Sequence, residues 1–171
     1  MKKFNNVIIF FLLVVMSSTI YAQKTDNEPK VGISALVSSI VESNQLDIVV
    51  PIWANPKFVV APSLYLLSVQ DAGSDIGIGI LFRNYLRKSK VAPFICGRVG
   101  FYLNAPKDGD STTDFLYGIG IGSEYFIDKN FSIGFEAQVN ATTSDENSGR
   151  FGNPGKTNIN TATAGFVTIY F

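Results

Sequence analysis

Large apolar side chains recur at every second position through eight stretches of this chain, at roughly 30–40, 44–54, 57–68, 74–86, 90–103, 113–126, 130–141 and 158–171. A period of two is that of a β-strand with unlike faces. The sixth stretch is the plainest: Phe115, Tyr117, Ile119, Ile121, Ser123 and Tyr125 alternate with Leu116, Gly118, Gly120, Gly122, Glu124 and Phe126. The fourth sets Ile76, Ile78, Ile80 and Phe82 against Asp75, Gly77, Gly79, Leu81 and Arg83, and the seventh sets Phe131, Ile133, Phe135, Ala137 and Val139 against Ser132, Gly134, Glu136 and Gln138. The last stretch carries Thr163, Gly165, Val167, Ile169 and Phe171 on one face and ends on an aromatic residue.

The stretches are separated by turn-like segments at 41–43, 55–56, 69–73, 87–89, 104–112, 127–129 and 142–157. Every even-numbered connection has two or three residues, whereas three of the four odd ones run from five to sixteen. Short turns at one end and longer loops at the other are the pattern of a membrane barrel with both chain ends on its short-turn, periplasmic side. The expected fold is therefore all-β, an eight-stranded antiparallel up-and-down transmembrane barrel.

In a water-soluble barrel the large apolar side chains fill the interior; in a membrane barrel they face lipid and the smaller, polar face turns inward. The glycines favour the second arrangement, because they share faces with Arg and Glu and would relieve crowding inside a narrow eight-stranded lumen. The competing reading is that they mark bends or bulges. Extending the phase puts Asp47, Arg83, Arg98, Glu124 and Glu136 inside, with Gln45, Gln138 and Tyr102. Asp47, Arg98 and Glu136 are expected at middle to upper height, with Arg83 and Glu124 lower. Buried charges are costly unless paired, so the simplest expectation is a network that plugs and pins the lumen. The functional alternative is a polar conduit gated by Arg98 with Glu136.

Composition changes the picture mainly at the N-terminus. Lys2 and Lys3 precede an apolar run over 7–15 and small or polar residues ending at Ala22, which reads as a secretory signal over 1–22. Residues 23–29 form a short segment, and 30–171 the barrel domain. No cysteine lies near the cut, so a lipidated N-terminus is not expected. After removal of 1–22 the chain carries 12 basic and 14 acidic residues, which leaves no electrostatic case for nucleic acid. Cys96 is the sole cysteine and cannot form an internal disulfide.

The chain contains no histidine, which removes the usual Ser-His and Cys-His nucleophile pairs and the commonest metal ligand. Cys96 shares the inner face with Arg98, a cation that could activate it, but no base accompanies it. The run from Asp108 to Asp114, D-G-D-S-T-T-D, spaces oxygens like a calcium loop yet lacks the glycine and distal glutamate of one. No catalytic residue, cofactor or metal is expected. The outer loops at 104–112 and 142–157 are rich in Gly, Ser, Thr, Asn and Asp; Arg150, Phe151 and Lys156 are the side chains of the longer one best suited to outward contacts.

With its strand count, loop asymmetry, terminal Ile169-Tyr170-Phe171 and the run Asp128-Lys129-Asn130-Phe131-Ser132-Ile133-Gly134, the chain resembles the small eight-stranded outer-membrane barrels, the group of the OmpA transmembrane domain and OmpX-like proteins. The resemblance covers residues 30–171. It implies outer-membrane location, outer-membrane lipid as the surrounding partner, and the barrel-insertion machinery as a transient partner that reads Phe171, Ile169 and Tyr170. A non-enzymatic, monomeric barrel with a structural or surface-interaction role is the leading expectation. The alternatives are a narrow pore or small hydrophobic-solute carrier, and a secreted lipocalin-like binder, although the first strand lacks the lipocalin Gly-x-Trp.

Overall fold

The computed structural model describes residues 31–40, 43–69, 73–107 and 110–171. The expected secretory signal over 1–22 and the segment 23–29 lie outside the described residues.

Nine strands follow in order: β1 (Gly32–Ile40), β2 (Ser43–Val49), β3 (Ile52–Asn55), β4 (Phe58–Val69), β5 (Gly73–Tyr85), β6 (Val91–Pro106), β7 (Thr112–Phe126), β8 (Phe131–Thr143) and β9 (Thr157–Tyr170). All pairings are antiparallel; they join sequence neighbours except that β2 pairs with β4 in place of β3, and that β1 pairs with β9 from Gly32↔Tyr170 to Ile40↔Ala162, so that the sheet closes. β2 and β3 are two halves of one stave, so the barrel has eight staves. Their pairing with β4 keeps one register, Val49↔Ser63 on one side of the break and Ile52↔Val60 on the other. The break falls at Pro51, which has no N–H to give to the ladder. Its carbonyl still accepts from Gly32 N–H at 2.9 Å, and Val50 N–H donates to the Pro62 carbonyl at 2.9 Å. Closure leaves no open edge.

The strands follow the eight expected stretches closely but run further at one end. Three residues separate β4 from β5 and five separate β6 from β7, against two, five and four in the turns of the opposite end. The expected loop asymmetry is therefore narrower than the alternation suggested, and it rests on the thirteen residues between β8 and β9. Strands β6 and β7, with 16 and 15 residues, exceed the roughly 9–11 that cross a bilayer. Ladder pairing continues past the point where lipid-facing alternation fades.

The outer wall is apolar. Ile119, Ile121 and Phe135 are 74%, 67% and 65% exposed, while Glu124 and Glu136, on the opposite faces of the same strands, are 0% and 1% exposed. That is the inverse of a soluble barrel and argues against the lipocalin-like alternative.

Inside, side chains fill the lumen in layers. One apolar cluster joins Leu36, Val49, Leu81, Tyr85, Phe94 and Phe166 with Trp53, Cys96 and Phe126 against it. A second lies around Tyr65, Tyr102, Leu116 and Phe151. The inner glycines make room for these groups. A Cβ at Gly77 would sit 2.7 Å from the Tyr102 ring, and one at Gly122, Gly134 or Gly118 would collide with Phe94, Phe166 or Asn140. Strand pairing runs through all four without a register shift. They are spaces for lumen side chains, and the bend-or-bulge reading fails.

Candidate functional site

The short-turn end is closed by a floor built on Glu124. Its carboxylate accepts hydrogen bonds from the hydroxyls of Tyr85 and Ser132, and from that of Tyr170 at 2.8 Å. Trp53 stacks on Tyr85 at 4.8 Å between ring centroids and lies against Tyr170 and Phe126 at 6.4 and 6.5 Å. Of the three terminal residues read as an insertion signal, Tyr170 therefore points into the floor, whereas Ile169 and Phe171 face outward.

Above the floor, Arg83 Nη2 lies 3.3 Å from Glu136 Oε2 with both side chains buried. The guanidinium rests 3.8 Å from the centroid of Phe166 and 5.1 Å from that of Phe94, so aromatic faces supply part of the stabilisation lost with water. Gln138 Nε2 donates to the other Glu136 oxygen at 2.5 Å. Higher in the lumen, Arg98 Nη2 lies 3.6 Å from Asp47 Oδ2 and donates to the Tyr102 hydroxyl at 3.3 Å. Gln45 Nε2 donates to Asp47 Oδ1 at 2.7 Å and to the same hydroxyl at 3.3 Å.

All five charged residues expected inside are buried in the lumen. Their partners differ from expectation. Arg98 pairs with Asp47, not Glu136, and Glu136 pairs with Arg83, for which the sequence predicts a lower position. Heights counted along single strands ignore the stagger that tilt imposes between strands of a barrel, and a long Arg side chain spans the remaining gap.

The opposite mouth is covered by the chain itself. Between β8 and β9, Arg150 turns inward: Nη1 lies 2.6 Å from Asp75 Oδ2 and Nη2 donates to Gln45 Oε1 at 3.4 Å. Its guanidinium lies 4.5 Å from the Tyr102 centroid and 5.2 Å from that of Tyr65. Phe151 is 5% exposed and meets Tyr102 edge-on at 5.9 Å. The expectation that both residues reach outward is corrected: burying the ring against Tyr102 and pairing the guanidinium with Asp75 outweighs solvation of the loop. Lys156 is exposed.

Asp114 holds the loop down. Fully buried, it accepts from the Asp145 N–H at 2.9 Å and the Ser148 hydroxyl at 2.6 Å. Gly152 and Gly155 take positive φ of 77° and 69°, which tightens the loop into a knob. Asp75, Asp114 and Tyr65, like Tyr85 and Ser132 of the floor, are lumen residues outside the network that sequence reasoning predicts. The alternation of β5 did put Asp75 on the inner face; its partner lies 75 positions later in the chain, where no local pattern reaches. Asp114, read as the end of a calcium-like run, serves as an anchor.

From floor to mouth the described residues of the lumen thus form three ion pairs and two aromatic layers. Cys96 is half-buried on the wall. Charged pairs in such a setting fix geometry more than they add stability.

No protein-family model and no curated protein matches the sequence. Solved structures do. The N-terminal β-barrel domain of Pseudomonas aeruginosa OprF is similar over 85% of this chain and 100% of that one, with 12% identity and a TM-score of 0.57. Neisserial surface protein A matches over 83% of this chain and 95% of its own at 15% identity and a TM-score of 0.49, and Ail of Yersinia pestis over 84% and 99% at 13% and 0.42. The chain thus shares the fold of the OprF β-barrel domain, here a closed antiparallel barrel of eight staves.

Proposed function

We propose that the protein resides in the outer membrane as a monomeric, non-enzymatic barrel with a structural or surface-interaction role at its looped end. The observation that supports this most is the inverted wall around a filled lumen: apolar side chains outward, ion pairs and rings inward, and a knob of chain across the mouth. Lipid is the partner such a wall requires. The barrel-insertion machinery would be the partner during biogenesis, with the outward Phe171 and Ile169 as the residues it contacts. Fractionation tests the location: the protein should be recovered with detergent-extracted outer membrane, and recovery in the soluble periplasm would overturn the reading. Surface contacts should depend on the loop, so removing residues 145–155 should weaken them; unchanged binding to the cell's surroundings would remove the interaction role.

A narrow pore is the second reading, favoured by one observation. Nε and Nη1 of both Arg98 and Arg83, and both amide atoms of Asn140, have no hydrogen-bond partner within the protein, so the lumen above the floor keeps unsatisfied polar atoms of the kind that would line a water-filled path. Single-channel recording in planar bilayers separates the two. A sealed barrel gives no reproducible open level; a stable conducting level would make the lumen the functional part.

A further inference from the structure

Charge is unevenly divided between the two ends of the barrel. The turns of the short-turn end carry Lys57, Arg87, Lys88, Lys90 and Lys129, all exposed, against one acidic side chain, Asp128. In the described connections of the opposite end, at 107, 110–111 and 144–156, three basic side chains meet three acidic ones, and Arg150 is already paired with Asp75. Solubility alone would not require this segregation.

The basic residues also sit where the apolar wall stops. Leu86 is 60% exposed and precedes Arg87; Val91 is 46% exposed and follows Lys90; Ile127 is 48% exposed and lies two residues before Lys129. Lys90 Nζ stands 5.3 Å from the centroid of the outward-facing Tyr125, whereas Lys88 Nζ lies over the floor residue Trp53 at 5.2 Å. Apolar side chains at acyl-chain depth, an aromatic ring at the boundary and ammonium groups just beyond it match the profile of a phospholipid leaflet read from tail to headgroup. Multiple basic groups at a membrane surface attract anionic headgroups, and the attraction weakens with salt.

We propose that this basic rim, centred on the Arg87-Lys88-Ser89-Lys90 turn, binds the phosphate headgroups of anionic phospholipid in the leaflet at the short-turn end. The inference rests on the membrane reading given above and adds a lipid preference to it. In a zwitterionic headgroup an ammonium offsets the phosphate and leaves little net attraction to the rim; phosphatidylglycerol keeps its full negative charge. The rim thus sets the barrel's depth by charge as well as by its apolar band.

The test uses the refolded protein in phosphatidylcholine bilayers, with spin-labelled phosphatidylglycerol or phosphatidylcholine as the probe of lipid at the protein surface. Folding and insertion are checked first by the mobility shift on heating. At low salt, phosphatidylglycerol should be selected by about fivefold or more, as about one charge interaction per lipid implies. In the Arg87→Gln/Lys88→Gln/Lys90→Gln variant, or at high salt, the ratio should fall toward one, while Lys156→Gln at the other end should leave it unchanged. Insertion with no selection by the unaltered protein, or selection that survives the triple substitution, overturns this inference and leaves the membrane reading standing. Failure to insert into any bilayer overturns both. Loss of binding to isolated peptidoglycan in the triple variant, without a change in lipid selection, would assign the rim to the cell wall and overturn the lipid.

Discussion

At the scale of single residues, the inner glycines and buried charges carry separate obligations. Gly122 and Gly134 face ring edges that a Cβ would overlap, so Gly122→Val or Gly134→Val should destabilise the barrel by at least the roughly 1–3 kcal/mol typical of overpacking. Urea unfolding of the refolded protein in micelles would read this as a lowered midpoint, and an unchanged midpoint would mean that the rings move aside freely. Arg83 and Glu136 obey a different rule. Truncating Arg83 to Ala should cost about 3–5 kcal/mol by leaving the buried Glu136 carboxyl without its cation, whereas Arg83→Met with Glu136→Leu should recover most of that loss. If the double variant is as weak as the single one, the pair contributes more than mutual compensation. Which faces these residues occupy was legible in the sequence, since a period of two needs only local information. Who pairs with whom was not, because stagger between staves determines height and no single strand encodes it.

Among the elements, the broken stave and the capping loop show the two limits of that legibility. The stretch 44–54 reads as one strand, and its register with β4 does carry across Pro51, shifting only beyond Trp53. The loop between β8 and β9 read as solvated because its composition is polar. Its inward turn depends on Asp75 and Asp114, which come from β5 and β7 and are distant in sequence. A double-mutant cycle with Arg150→Gln and Asp75→Asn should therefore give a coupling of about 0.5–3 kcal/mol in the unfolding of the mouth. Hydrogen exchange of the amides over 145–155 should rise in either single variant. No change in exchange would mean that Asp114 holds the loop without help.

For the molecule as a whole, the decisive property is which side of the wall is greasy, and the test is a charge placed on that side. Ile119→Arg puts a cation on the outer face of β7 and should destabilise the barrel by up to about 2–4 kcal/mol in a bilayer. The same substitution in a soluble barrel would be nearly silent, so equal stability of variant and parent in bilayers would remove the lipid-facing assignment. Eight staves and their closure were legible from counting alternating stretches, and the similarity to the OprF domain agrees at 12% identity. The layered filling was not legible, because its contacts join residues on opposite walls.

That layering bears on how the barrel comes together. Asp47 and Arg98 come from β2 and β6, Arg83 and Glu136 from β5 and β8, and Glu124 and Tyr170 from β7 and β9. None of these contacts lies within a single hairpin, so a partly assembled sheet exposes charges with no partner, and lipid would penalise each of them. Such intermediates are disfavoured relative to both the unassembled chain and the finished ring. The lumen charges therefore bear on assembly as well as on the folded state: each pair is complete only when the walls that carry its two partners face each other in the closed ring.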